Sequence, residues 1–211
     1  WGDPSGRALW EDLDHALLQR FPREGGGELG IVSACVDTGG HHTQTAYAFC
    51  KARLRRRVWA IKGQDGWGQP IWAKTPTKNN TAKVPLFRVA VDVAKEHVYA
   101  RLRLTEAGPG FCHFGRDWDA DRFAQLTAEV LRTRHHRGFA KRYWWKPDGA
   151  RNEALDCRVY AYAALHAWYS LGHRLERAAA SAPQPAPPRP ARPGGAGAWL
   201  KPRSEPWLRR P

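Results

Sequence analysis

The stretch at residues 152–169 (NEALDCRVYAYAALHAWY) constrains the fold of this chain more than any other. Apolar and aromatic side chains recur along it at helical spacing, which predicts a long helix with one largely buried face. Asn152 stands where an N-cap residue belongs, because its side-chain oxygen can accept from free N–H groups of the first turn. Glu153 and Asp156 lie three residues apart and project from one side of that turn. They either complement the helix dipole or help to hold a divalent metal ion.

The charge balance points to a polyanionic partner. Lys and Arg number 34 against 20 Asp and Glu, which gives a net charge of +14. The proline-rich segment 182–211 holds six of the basic residues and one acid, so residues 1–181 alone carry about +9. A basic surface of this size favours nucleic acid as the partner.

A β-α-β unit is predicted near the start of the chain. Residues 28–36 read as a buried strand, residues 43–54 as a helix and residues 58–61 as a second strand, which predicts parallel pairing. Asp37 follows the first strand directly and precedes a glycine turn. An acid at the carboxyl end of a buried strand is where α/β proteins place chemistry. The alternative is that Asp37 caps the next helix or begins an Asx turn.

The remaining elements follow from the same periodicities. Helices are predicted at 4–21, 94–104 and 121–134, and strands at 86–92, 110–114 and 139–145. Residues 64–83 lack hydrophobic periodicity and form a long loop that is either functional or mobile. The segment 182–211 holds nine of the 16 prolines and cannot bury a core, so we predict one domain over 1–181 followed by a disordered tail.

Three carboxylates form the candidate catalytic set: Asp37, Glu153 and Asp156. Nucleases that use Mg²⁺ or Mn²⁺ need several acids on adjacent elements, because the ions bind the scissile phosphate and activate water. A strand-end acid and acids in the first turn of a helix can meet that need when the helix packs beside the sheet. Spacing alone is weak support, since many α/β domains offer such acids.

A basic and aromatic band at 132–151 is the candidate DNA-binding surface. Its seven cations are Arg132, Arg134, Arg137, Lys141, Arg142, Lys146 and Arg151. Such a band can neutralise phosphates while Trp and Tyr rings stack on exposed bases. The alternative is a solvated helix end followed by tryptophans that pack in the core, and we expect Trp144 and Trp145 to be mostly packing residues.

Other function classes are disfavoured by missing patterns. The sequence contains neither a P-loop nor a G-x-S-x-G motif. The four cysteines are widely spaced, which predicts reduced thiols in a cytosolic setting. No apolar run approaches membrane-spanning length and no signal peptide is visible, so we expect no membrane contact.

Several phrases together resemble the C-terminal nuclease domain of the large terminase subunit of lambda-type tailed phages, the GpA family. They occur in the family's order over about residues 5–172. These phrases are Val36-Asp37-Thr38-Gly39-Gly40, Ala60-Ile61-Lys62-Gly63, Asp92-Val93-Ala94-Lys95-Glu96, Val98-Tyr99, Gln125-Leu126-Thr127-Ala128-Glu129 and Asn152-Glu153-Ala154-Leu155-Asp156-Cys157.

The resemblance implies a ribonuclease-H-like α/β fold and a metal-dependent endonuclease that cuts concatemeric phage DNA during head packaging. It implies that Asp37 is the strand-end second acid and that Glu153 and Asp156 complete the cluster. The implied partners are double-stranded DNA, the terminase small subunit, the portal and the packaging ATPase, all in the host cytoplasm. Further matched positions are interpreted as supporting (Lys62, Gln125, Glu129 and Asn152) or have no assigned role (Asp92 and Lys95), and Lys62 joins the DNA-binding candidates.

One departure from the family bears on activity. The family's first catalytic aspartate lies on an opening strand, upstream of the helix that starts here near Ser5, and the ATPase lies further upstream. We therefore expect an incomplete ribonuclease-H-like domain, weakly active or inactive alone. Two other hypotheses stay open at this stage: a DNA-binding remnant without chemistry, and an interaction module whose Pro-rich tail docks on a packaging component.

Overall fold

The computed structural model describes residues 2–23, 26–78, 80–136 and 138–180, with only the backbone of His136. The predicted disordered tail at 182–211 and the candidate Arg137 lie outside the described residues. The helices are α1 (Arg7–Leu18), α2 (Thr43–Ala52), α3 (Val91–Leu102), α4 (Ala120–Leu126), α5 (Glu153–Ser170) and α6 (Leu175–Ala180). The strands are β1 (Arg20–Pro22), β2 (Glu28–Gly30), β3 (Ala34–Asp37), β4 (Val58–Gln64), β5 (Leu86–Ala90), β6 (Val130–His136) and β7 (Phe139–Trp145).

A three-stranded parallel sheet lies at the centre, in the order β3-β4-β5. Asp37 pairs with Ile61 and Ile61 with Phe87, so the carboxyl ends of the strands lie at one edge of the sheet. Helix α2 connects β3 to β4, which confirms the predicted β-α-β unit. Among the described residues, β3 pairs only with β4, so its other edge has no strand beside it. The chain is therefore a mixed α/β domain with small sheets.

Helices cover both faces of this sheet because its side chains alternate. On one face Val58 and Ala60 pack with Tyr47 and Phe49 of α2, and α1 adds partly buried side chains such as Trp10. On the other face the sheet packs against α3 and α5. The buried residues of that second cluster include Ile61, Phe87, Val89, Ala94, Val98, Leu155, Val159 and Ala163. The alternation is the period-two pattern of strands that are buried on both sides.

Much of the predicted loop at 64–83 is packed rather than mobile. Ile71 and Trp72 are buried, and Trp72 stacks on Phe87 with ring centroids 4.3 Å apart. Single antiparallel bridges join Trp72 to Val89 and Thr77 to Leu86. This part of the loop therefore runs along β5 and covers one edge of the sheet.

Three predicted elements were wrong. The predicted strand 28–36 is two strands, since β2 pairs antiparallel with β1 while β3 joins the central sheet. Residues 110–114 form no strand. The predicted helix 121–134 ends at Leu126, because residues from Val130 onward pair along their whole length with β7. This hairpin pairing overrides the helical periodicity of the local sequence.

The other expectations for the fold hold in outline. Helices were correctly predicted for α1, α2, α3 and α5, and strands for β4, β5 and β7, although their ends differ by a few residues. All four cysteines are free, as the sequence predicts. In the part of the chain that the structure describes, no helix has the length and apolar character needed to span a bilayer.

Candidate active site and its basic groove

An open cleft of about 280 Å³ lies at the carboxyl edge of the parallel sheet. Residues from four elements or the turns after them line it: β3, β4, α3 and α5. Its charged and hydroxyl-bearing residues are Asp37, Lys62, Asp65, Lys95, Asp156 and Tyr160. This position fits the general rule that α/β sheets place ligand sites at the carboxyl ends of their strands. We call it the acid cleft.

Asp37 ends β3 and lies exposed at the rim of the acid cleft. Its Oδ1 accepts a hydrogen bond from the N–H of Gly39 at 3.0 Å, and its Oδ2 accepts one from the hydroxyl of Tyr160 at 3.2 Å. Thr38, which is buried, fixes the backbone here by donating from its hydroxyl to the carbonyl of Ile61 at 2.9 Å. Asp37 therefore begins an Asx turn, as the alternative interpretation predicts, and it also lines the acid cleft.

Asp156 approaches the cleft from the first turn of α5 and is half-buried. Its Oδ2 accepts a hydrogen bond from the side-chain amide of Asn152 at 3.2 Å. Loss of hydration raises the pKa of Asp156; Lys95 opposes that rise, while the nearby charges of Glu129 and Asp37 add to it. The carboxylates are thus close enough to repel one another, which is the situation that a bound cation relieves.

A buried ion pair lies behind Asp156. The Lys95 ammonium donates to both carboxylate oxygens of Glu129 at 2.8 Å, and the two side chains are only 13% and 6% exposed. Asn152 donates to the same Glu129 carboxylate at 2.8 Å. Asn152 precedes α5 as predicted, but its side chain makes no capping hydrogen bond and binds the two acids instead. The predicted capping role was therefore wrong.

Glu153, the third candidate acid, does not line the acid cleft. It is exposed and forms an ion pair with Arg151 at 3.2 Å. Its own backbone N–H and then Arg151 lower the pKa of this carboxyl. The structure therefore brings Asp37 and Asp156 together and leaves Glu153 outside. Among the described residues, no group of three His, Cys, Asp or Glu side chains is arranged to hold a metal ion.

A second cavity, of about 320 Å³, adjoins the acid cleft. Asp65, Val91 and Lys95 line both, so the two cavities are neighbours. The hairpin β6–β7 forms the other wall, and its contributions include Arg134, Lys141, Arg142, Tyr143 and Trp144. We call this cavity the hairpin groove.

Aromatic and ionic contacts fix the hairpin to α3. Trp144 stacks on Tyr99 with ring centroids 4.9 Å apart, and its indole N–H donates to the carbonyl of Asp92 at 3.2 Å. Arg142 forms an ion pair with Glu96 at 2.9 Å and lies 4.0 Å from the ring centre of Trp67. The expectation that Trp144 packs is confirmed, but it packs in a hairpin rather than after a helix end.

The predicted DNA-binding cations have different surroundings. Arg132, Arg134 and Lys141 are exposed on the hairpin. The guanidinium of Arg132 lies 3.4 Å from the ring centre of Trp145, and that of Arg134 lies 5.2 Å from the ring centre of Tyr143. The other candidates lie elsewhere: Lys62 lines the acid cleft, Lys146 donates to the carbonyl of Ala150, and Arg151 pairs with Glu153.

Three cleft residues were given no role by pattern: Asp65, Lys95 and Tyr160. Tyr160 stands four residues after Asp156 on the predicted helix, so helical spacing alone could place it on the same side as that acid. Asp65 follows β4 directly, as Asp37 ends β3, so the strand-end argument covers it too. Lys95 matched the family phrases, but the local sequence shows nothing of its partner Glu129, which is 34 residues away.

The fold and the site define a mixed α/β domain with an acid-bearing cleft beside a basic hairpin. The family model described as terminase large subunit gpA, endonuclease domain, matches residues 1–173. The chain therefore belongs to this family, as the phrases in its sequence indicate.

Two curated relatives carry the name terminase, large subunit. The protein from Escherichia phage lambda is 38% identical over 160 residues, which are 72% of this chain and 25% of that relative. The protein from Enterobacteria phage P21 is 34% identical over 172 residues, which are 78% of this chain and 26% of that relative. The chain thus spans about a quarter of the length of these relatives. No solved structure gives a significant match.

Proposed function

We propose that this domain hydrolyses double-stranded DNA with Mg²⁺ or Mn²⁺ during phage genome packaging. The observation that supports this most directly is that Asp37 and Asp156 face one cleft, which adjoins a groove lined by Arg134, Lys141 and Arg142. Carboxylates are suited to chemistry on phosphates, and cations are suited to holding a DNA backbone. We further propose that the parallel sheet and α5 are part of a ribonuclease-H-like fold.

The donor set fits the proposed metal. Mg²⁺ is commonly held by one or two carboxylates, with waters and substrate phosphates filling the other positions. Asp37 and Asp156 would supply the two carboxylates, and Glu153 would join them only after releasing Arg151. When bound, the ion supplies a Lewis acid for the phosphate and lowers the pKa of water.

The chain's own residues would prepare the site for that chemistry. Tyr160 and the N–H of Gly39 hold the Asp37 carboxylate in place. Lys62, exposed on β4, offers a positive charge to a phosphate in the acid cleft. The exposed cations of the hairpin would hold the duplex through its phosphates, which positions the DNA largely without reading its sequence.

The longer relatives motivate the remaining proposals. We propose that this domain works in the host cytoplasm beside a packaging ATPase, a terminase small subunit and a portal. We also propose that the isolated chain cleaves weakly or not at all, because the family resemblance places a further catalytic aspartate on a preceding strand. Such a strand would pair with the edge of β3 that has no partner strand among the described residues.

Plasmid nicking with Mn²⁺ tests the proposed function. The isolated chain is compared with a longer protein that carries the preceding strands, each with and without Asp37→Ala. We expect robust cleavage by the longer protein and a loss of at least about a hundredfold with Asp37→Ala, because this change removes one of the two proposed metal-binding carboxylates. A hundredfold loss corresponds to about 3 kcal/mol of transition-state stabilisation.

Asp12→Ala is the matched control, since it removes an exposed aspartate from α1 on the other face of the sheet. It should leave cleavage unchanged. Cleavage that persists in Asp37→Ala would contradict the assignment of Asp37. Absence of cleavage from both proteins, with salt-sensitive DNA binding retained, would favour a DNA-binding remnant.

A further inference from the structure

The buried carboxylate of Glu129 has no role in the proposed function, since it neither binds the proposed metal nor contacts DNA there. Glu129 is 5% exposed and lies between the end of α4 and the start of β6. A buried carboxylate is costly unless it is paired and hydrogen-bonded. Here Lys95 donates to both of its oxygens, and Asn152 donates to one of them.

Asn152 has its amide fixed between two acids. Its Nδ2 donates to Glu129 at 2.8 Å and to Asp156 at 3.2 Å, and a primary amide has two N–H groups to give. The opposite amide orientation would turn an oxygen toward both carboxylates and would be repelled. Glu129, held in turn by Lys95, therefore determines how Asn152 presents its donor to Asp156.

This arrangement leaves Asp156 with one engaged oxygen and one available oxygen. Asn152 binds Oδ2, and within the described residues no hydrogen bond reaches Oδ1. The carboxylate is thus held from one side while it lines the acid cleft. Changing a partner that orients a metal ligand in this way typically costs about 10- to 100-fold in metal affinity or activity.

Glu129 also joins the cleft to the hairpin. The Tyr99 hydroxyl donates to the Glu129 carbonyl at 2.5 Å and accepts from the Glu129 N–H at 3.3 Å. Tyr99 is the ring on which Trp144 of the hairpin stacks. The base of the hairpin and the positioning of Asp156 therefore depend on the same residue.

We propose that Lys95, Glu129 and Asn152 form a positioning chain that orients the Asp156 carboxylate for its metal and ties that orientation to the docked hairpin. The proposal rests on the proposed function in assigning a metal to Asp156. None of the three residues ligates the metal in this scheme. Lys95 fixes Glu129, Glu129 fixes Asn152, and Asn152 fixes Asp156.

Asn152→Ala is the first test, with Gln19→Ala as its control. Gln19 is exposed and follows α1, which packs on the face of the sheet away from α3 and α5. Loss of the Asn152 hydrogen bond to the buried Glu129 carboxylate should lower the melting temperature, so binding is measured at a temperature at which every variant is folded. Mn²⁺ affinity of the protein, measured by electron paramagnetic resonance without DNA, should fall about 10- to 100-fold in Asn152→Ala and stay unchanged in Gln19→Ala.

A second variant tests whether Glu129 orients Asp156 through Asn152. Glu129 also acts on Asp156 through its charge, so adding Glu129→Gln to Asn152→Ala should lower Mn²⁺ affinity further, but by less than Glu129→Gln lowers it in the parent. A further loss, equal to that of Glu129→Gln alone, would overturn this route through Asn152. Unchanged Mn²⁺ affinity in Asn152→Ala would overturn the positioning role altogether.

Side-chain amide NMR separates this inference from the proposed function, because it needs neither metal nor DNA. We expect the Asn152 side-chain NH₂ resonances to be distinct from those of solvated amides and to shift in Asp156→Ala. Resonances at solvated positions, insensitive to Asp156→Ala, would overturn the positioning chain. If the parent chain binds no Mn²⁺ but its Asn152 resonances behave as expected, the metal assignment fails and the positioning of Asp156 stands.

Discussion

Two charged clusters on opposite faces of the sheet differ in how their charges are balanced. On the face covered by α1 and α2, Asp14 accepts from Arg53 at 2.7 and 2.9 Å and from Arg56 at 2.7 Å. The single acid has two cations, and these lower its pKa to about 2, with the Arg53 hydrogen bond as the main cause. This cluster links α1 to the end of α2, and its acid is fully compensated.

The cluster behind the acid cleft has the opposite balance. Lys95 pairs with Glu129, and its charge also acts on Asp156, while Asp37 adds a third negative charge nearby. Burial and neighbouring acids raise the pKa of Asp156, whereas the two arginines lower that of Asp14. A cluster whose acid is fully compensated by cations stabilises a fold, whereas one with excess negative charge beside a cleft is suited to bind a cation.

The largest expected effect is on cleavage activity, when Asp156 of one cluster and Asp14 of the other are each changed to alanine. In the longer protein described above, Asp156→Ala should reduce Mn²⁺-dependent nicking by at least about a hundredfold, a loss of about 3 kcal/mol of transition-state stabilisation. Its free energy of unfolding should change by less than about 0.5 kcal/mol, because the loss of one long hydrogen bond is offset by relief of repulsion.

Asp14→Ala should do the reverse. It should leave nicking unchanged and lower the free energy of unfolding by about 1–2 kcal/mol, because it removes hydrogen bonds between charged groups that are mostly covered from solvent. Urea denaturation of both variants measures the stability side. Equal losses of activity and stability in both variants would remove the distinction between the clusters.

The sequence alone predicts two members of the cluster behind the acid cleft, Asp37 and Asp156, far better than the others. Asp37 is predictable because a short apolar strand followed by an acid and glycines has a local pattern, and Asp156 is predictable from helical spacing. The Lys95–Glu129 pair is not, because its partners are 34 residues apart and meet only when α3 packs beside the base of the hairpin. The first strand of the hairpin, β6, was mistaken for the end of a helix, since its pairing with β7 decides its structure.

A smaller effect, on DNA binding, should distinguish the arginines of the hairpin from those on the face of the sheet covered by α1 and α2. Arg132 and Arg134 are exposed on the hairpin, whereas Arg56 is engaged by Asp14. The double change Arg132→Ala and Arg134→Ala should weaken duplex binding and reduce the slope of log affinity against log salt by about 2, since each phosphate contact contributes about 0.9. Fluorescence anisotropy over a series of salt concentrations measures both quantities.

The control for this prediction is Arg7→Ala on α1. Arg7 is also exposed and carries the same charge, but it lies on the face away from the hairpin groove. Its loss should leave the salt slope within error of the parent. A uniform loss of affinity for Arg7→Ala and the hairpin variants would show that net charge, rather than the hairpin, holds the DNA.

The smallest expected effect is in the pH dependence of stability. The folded pKa of Asp14 is about 2, below its ordinary value of 3.8, so its ion pairs contribute their full stabilisation above about pH 4. That contribution is lost as the pH falls from 3.8 toward 2, because the unfolded state takes up the proton first. Asp14→Asn should therefore be less stable than the parent at pH 6 and should approach it in stability as the pH falls through this range.

Asp156→Asn should change stability in the opposite direction to Asp14→Asn. The two variants together therefore test the charge balance of the two clusters. Its folded pKa is raised, so the charged form is disfavoured on folding, and this destabilisation applies at neutral pH and disappears in acid. Without metal, Asp156→Asn should thus be slightly more stable than the parent at pH 6, with the difference vanishing near pH 3. Urea titrations of both variants at these pH values measure the two signs, and the same sign in both would mean that the two clusters are balanced alike.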